Sequence, residues 1–198
     1  MLSLSNTIQG VINYTWPMIL ISVVIIVSFR IVYLFKTKQK FVLYKELMML
    51  SFIIYILCLF QVVTFKDDVS WSTNNFIPFR EILRYNMGSR LFFKNVIGNM
   101  LMFAPYGFFI SFYLKNEKPL LTLILTLVAS ISIEVVQLVI GRVFDIDDII
   151  LNLLGGFLGY GMYYIFCRVW EKLPNVFKSE LFLNVLSIFI LICILILI

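Results

Sequence analysis

Within the 23 residues EVVQLVIGRVFDIDDIILNLLGG (134–156), an otherwise apolar chain concentrates one Glu, one Gln, one Arg, three Asp and one Asn. These are side chains that can move protons or hold phosphates, carboxylates and cations. Glu134 is the candidate catalytic base, because a carboxylate deep in an apolar helix is costly unless it is paired, protonated or used. Arg142 can receive a phosphate or carboxylate from a ligand, or pair with an Asp or with Glu134 and lock two helices together. Asp147 and Asp148 offer oxygens to a divalent cation. Adjacent residues point in different directions, however, so shared chelation is poorly served, and neither a metal site nor a cofactor is expected. Asp145 and Asp148 also fit the N-cap and N3 positions of a helix, where the dipole favours acids. The chain contains no His, which removes His-based acid–base catalysis, His metal sites and Ser-His-Asp triads.

The elements that carry these residues follow from composition. Of 198 residues, 62% are hydrophobic and 14% charged. A soluble domain carries about a quarter charged residues, so this chain must use lipid as solvent. Six apolar runs approach the roughly 20 residues needed to cross a bilayer: 16–35, 47–65, 95–114, 120–140, 148–167 and 181–198. The expected fold is all-α, a single polytopic membrane helix bundle over residues 1–198, with a possible short interfacial helix near 76–85. There Phe76, Phe79, Ile82 and Leu83 recur at helical spacing between Arg80, Glu81 and Arg84. The net charge of +5 does not indicate nucleic acid, because the basic residues fall mostly between apolar runs. Cys58, Cys167 and Cys193 lie in or beside apolar runs and read as small hydrophobes. The N-terminal stretch has no Lys or Arg, so residue 17 onward reads as a retained first helix, not a cleaved signal peptide.

Basic residues orient the bundle. The loops bearing Lys36, Lys38, Lys40 and Lys45, then Lys115 and Lys118, then Arg168, Lys172 and Lys178 total nine, against six on the other side. This places both termini outside and the 141–145 loop on the outer face of a plasma membrane. Trp16, Trp71 and Trp170 fall near the interfaces. On a 1.5 Å rise, Glu134 lies roughly 10 Å below the end of the fourth span, and Asn152 and Asn99 lie at comparable depth in the fifth and third. Asn95 and Asn99 share a face, as do Glu134 and Gln137. Polar groups at that depth should face one another, either as interhelical glue or as ligand contacts. Gly155 and Gly159, with Gly156 beside them, permit close helix approach, and Pro105, followed by Gly107, should kink the third span.

The combined pattern resembles the VanZ-like family of membrane proteins. It runs NFIPF (75–79), Asn95 and Asn99, Phe103, Pro105 and Gly107, Glu134 and Gln137, Arg142, Asp147 and Asp148, then Asn152, Gly155 and Gly156. The resemblance covers about 75–162. It implies a Gram-positive cell-envelope protein associated with low-level resistance to teicoplanin, a lipoglycopeptide antibiotic. The expected ligand-binding set is Asn95, Asn99, Glu134, Gln137, Arg142, Asp147, Asp148 and Asn152, and the expected partners are membrane lipids and a cell-wall lipid precursor or lipoglycopeptide. Three readings stay open: a binding or shielding protein, a lipid-headgroup enzyme using Glu134 as base, and a transporter. The last is the least supported, since the inner halves of the spans offer only residues such as Ser130, Ser132, Tyr113 and Cys167.

Overall fold

The computed structural model describes residues 2–64, 74–115 and 117–197. The interfacial position expected for Trp71 lies outside them. The chain divides into two compact units, residues 1–67 with 173–198, and residues 68–172. Among the described residues no strand forms, and a single parallel bridge pairs Asn75 with Asp145.

The first unit holds α1 (Leu2–Thr37), α2 (Leu43–Thr64) and α8 (Glu180–Leu197), the last entered through a 3₁₀ turn at Asn175–Lys178. α2 packs on both α1 and α8. Arg30 makes a two-pronged ion pair with Glu46, with both N–O distances 2.9 Å. The acid sits in the first turn of α2, where the helix dipole also favours it.

The second unit holds α3 (Arg80–Arg84), α4 (Arg90–Phe92), a π-helical turn (Phe93–Ile97), α5 (Gly98–Leu114), α6 (Pro119–Val139) and α7 (Ile146–Lys172). Among the described residues, five stretches are long and apolar enough to cross a membrane: Trp16–Thr37, Leu43–Val62, Arg90–Leu114, Pro119–Val139 and Ile146–Lys172. The sixth apolar helix, α8, has 18 residues, close to the lower limit for a 30 Å hydrocarbon core. Within the 76–85 stretch where a short interfacial helix is expected, the structure has the short helix α3.

α7 packs against both α5 and α6, most extensively against α5. Lipid offers no hydrophobic drive for helices to associate, so close backbone approach must supply the packing. A Cβ on Gly159 would stand 2.0 Å from the Ala104 carbonyl oxygen, and one on Gly107 2.1 Å from that of Gly156. No side chain fits at either place, and α5 and α7 meet backbone to backbone, while a Cβ on Gly156 would meet the Thr126 side chain of α6 at 2.5 Å.

Pro105 lies inside α5 without interrupting it. The departure from α geometry falls earlier, at Phe93–Ile97. The i→i+5 bonding of a π turn widens the helix and offsets the faces on either side of it. Asn95 and Asn99, which ideal α spacing places on one face, therefore serve different partners.

Candidate functional site

The site is built where α6 ends and α7 begins. Gly141, with φ +84°, terminates α6. Its N–H donates to Leu138 O at 3.1 Å and that of Arg142 to Gln137 O at 2.8 Å, the paired bonds of a Schellman cap that requires a left-handed residue. The chain then extends to Asp145, whose Oδ1 accepts the Asp147 N–H at 2.9 Å. Asp145 is thus the N-cap of α7. The backbone N–H of Asp145 donates in turn to Glu134 Oε2 at 2.9 Å. Glu134 is 1% exposed, and Arg142 is close enough for its charge to act on it. Burial among acids raises the Asp145 carboxyl above the ordinary Asp range, opposed by the hydrogen bonds from Asp147 N–H and Asn75.

A strap formed by residues 74–94 closes over this junction. Asn75 Nδ2 donates to Asp145 Oδ1 at 2.8 Å, Asn75 N–H to Phe144 O at 2.8 Å, and Ile146 N–H to Asn75 O at 3.0 Å. Asn74 Oδ1 accepts the Phe144 N–H at 3.0 Å, and the Phe76 and Phe144 rings stack with centroids 5.2 Å apart. Asp147 then fixes the start of α3, its two oxygens accepting N–H groups from Phe79 at 2.5 Å, Glu81 at 2.7 Å and Ile82 at 3.1 Å. Phe79 adopts φ 66°, a conformation that a non-glycine residue holds only against resistance. The carboxylate of Asp147 supplies the restraint.

Asp148 turns the other way and accepts from Asn99 Nδ2 at 2.5 Å. One turn deeper, Asn152 Nδ2 donates to Ser130 Oγ at 2.9 Å. Asn95 Nδ2 donates to the Tyr85 hydroxyl at 2.9 Å. Gln137 is buried beside Glu134 on α6. Asn99, Glu134, Gln137, Asp147, Asp148 and Asn152 therefore gather at one end of the three-helix unit, in successive layers. Those whose bonds are described are held largely by other parts of the protein. The adjacent Asp147 and Asp148 serve separate elements, and among the described residues no group of three or more acidic, Cys or His side chains is arranged to hold a metal ion.

Several members were missed from sequence. Asn74 and Tyr85 carried no local signal. Asn75 entered only as part of NFIPF, without a site role. The buried face of α6 continues the polar line inward: Thr122, Thr126 and Ser130 follow Glu134 at four-residue steps, all fully buried. That periodicity was available. The inner half is therefore better furnished than expected. Its hydroxyls bond inward, however: Ser111 and Thr122 share a bond at 2.8 Å, Ser111 donates to Gly107 O at 2.7 Å and Thr126 to Thr122 O at 2.8 Å.

A family model described as VanZ/LLP1 matches residues 52–167. Protein VanZ of Enterococcus faecium is 36% identical over 73 residues, which cover 36% of this chain and 45% of that protein. The chain thus spans less than half the length of that relative. No solved structure matches.

Proposed function

The chain belongs to the VanZ/LLP1 family of multi-pass membrane proteins, and from that premise we propose that it contributes to envelope defence in a Gram-positive plasma membrane. In this reading it binds or shields an amphiphilic or lipid-linked ligand, such as a lipoglycopeptide of the teicoplanin type or a cell-wall precursor. The α6–α7 end faces outward and both termini lie outside, as the excess of basic residues on the opposite loops favours. The observation that supports the reading is the polar cluster itself. Amide and carboxyl side chains from α5, α6 and α7 converge at one membrane-proximal end, and intramembrane polar groups mark functional sites or their supports.

Asn99, Asp148 and Arg142 are the proposed ligand contacts, and Glu134 acts by holding the α7 start in place. A lipid-headgroup enzyme with Glu134 as base is less well supported. A base must come within hydrogen-bond reach of substrate, whereas Glu134 is buried and engaged with Asp145 N–H. Deleting the gene should lower the teicoplanin concentration that inhibits growth, and Asn99→Ala at equal membrane abundance should reproduce most of that loss. Unchanged susceptibility to teicoplanin and to lipopeptides after deletion overturns the proposal. Labelling of a cysteine placed at Gly141 by an impermeant thiol reagent in intact cells tests the orientation.

A further inference from the structure

The strap carries a second surface that the polar cluster does not use. We propose that residues 76–94 form a docking surface for anionic phospholipid headgroups, oriented by Asp147 so that apolar side chains enter the bilayer and arginines remain at phosphate level. Phe76, Ile77, Phe79, Leu83 and Met87 are all exposed, with Leu83 at 81% and Met87 at 90%. None belongs to a stretch that crosses the membrane, and the next such stretch begins at Arg90. They therefore sit at the edge of the hydrocarbon and need a cover of intermediate polarity.

The charge of the segment says what that cover is. Arg80, Arg84, Arg90 and Lys94 stand against a single acid, Glu81. Glu81 engages Arg84 in an exposed pair at 3.3 Å, which contributes little. Arg80 and Arg90 are exposed as well. Arginine's planar fork suits phosphate oxygens, and long basic side chains can lie along apolar surface while their heads stay at the interface. The surface is also preformed, because the three N–H bonds to Asp147 and the Asn75–Asp145 bridge fix it before any lipid arrives. Ser89 likewise caps α4, accepting the Phe92 N–H at 3.1 Å. A second copy of the chain would also cover apolar residues, but a strap with this excess of cations repels its own image.

This surface does not rest on the ligand reading above: antibiotic susceptibility reports on the polar cluster, lipid retention on the strap. The full-length protein is reconstituted in vesicles of equal phosphatidylglycerol and phosphatidylcholine, extracted in mild detergent and weighed by native mass spectrometry. Phosphatidylglycerol should exceed phosphatidylcholine among retained lipids by at least roughly five-fold, the contribution of a single interfacial cation. The variant Arg80→Gln/Arg84→Gln/Arg90→Gln should bring the ratio towards parity. Independently, Leu83→Trp, after subtraction of the native tryptophan signal, should be quenched more by brominated phosphatidylglycerol than by the brominated phosphatidylcholine. Parity in the wild type, an undiminished ratio in the triple variant, or equal quenching by the two lipids overturns the proposal. So does a dimer that dissociates in Leu83→Glu.

Discussion

The two units of this chain solve the same problem in different ways. Both consist of apolar helices for which lipid is as good a neighbour as another helix. In the unit of α1, α2 and α8, the specific interaction described between helices is the Arg30–Glu46 pair. Among the described residues, buried oxygens of Ser51, Gln61 and Asn184 meet no hydrogen-bond partner there, against Asn95 Oδ1 in the other unit. In the unit of α3 to α7, polar side chains bond across helices at successive depths, and glycines bring backbones into contact. The contrast teaches that a membrane helix acquires a defined neighbour through small residues and satisfied polar groups, and that hydrophobicity alone only keeps it in the bilayer.

The strongest way to break the contrast is to separate α5 from α7. Gly159→Ala places a Cβ 2.0 Å from a backbone oxygen and should destabilise the protein by about 3 kcal/mol, read as a lowered thermal transition in detergent. Gly161→Ala, where a Cβ meets nothing within 4 Å, should leave the transition unchanged. Asp147→Ala comes next. It strands three N–H groups of the strap and should cost about 2 kcal/mol, with amide exchange accelerating at Phe79, Glu81 and Ile82 while amides of α2 keep their protection.

A paired substitution sharpens the comparison further. Ser130→Ala removes the acceptor of the Asn152 amide and should cost about 1 kcal/mol. Ser51→Ala, in the other unit, deletes a buried hydroxyl without a partner and should be neutral or slightly stabilising. Equal losses in the two variants would erase the distinction. The smallest expected effect is one of pH. The folded Asp145 carboxyl is raised above its unfolded value. Its contribution is therefore fully present below the unfolded Asp range, near pH 4, and declines as pH rises through the higher folded value. Asp145→Asn cannot titrate, so its stability profile should be flatter in that window when compared by thermal melts at stepped pH.

Much of the second unit was legible in the sequence because its signals are local. Asp145 before an apolar run marks a helix start, and Gly141 after one marks a stop. Gly155 and Gly159 at four-residue spacing announced a close helix approach, though not which helix would fill it. Asn95 was read less well, because its neighbours in sequence were known but its partner was not, and the partner of Arg30 is equally out of local reach. Glu46, which takes the Arg30 charge, belongs to another helix, and the π turn that separates Asn95 from Asn99 left no mark in composition.

The sequence by itself determined which segments are long and apolar enough to cross a bilayer, since a fixed rise per residue converts apolar length into membrane thickness. It also determined how α6 ends and how α7 starts, through residues whose backbone or side-chain geometry admits few alternatives. Only the tertiary structure decided that Asp147 would hold the backbone at Phe79–Ile82 and that Asn75 would bridge to Asp145. Those partners stand 65 to 70 residues apart, and the geometry joining them depends on helix packing and loop closure, which no local spacing encodes.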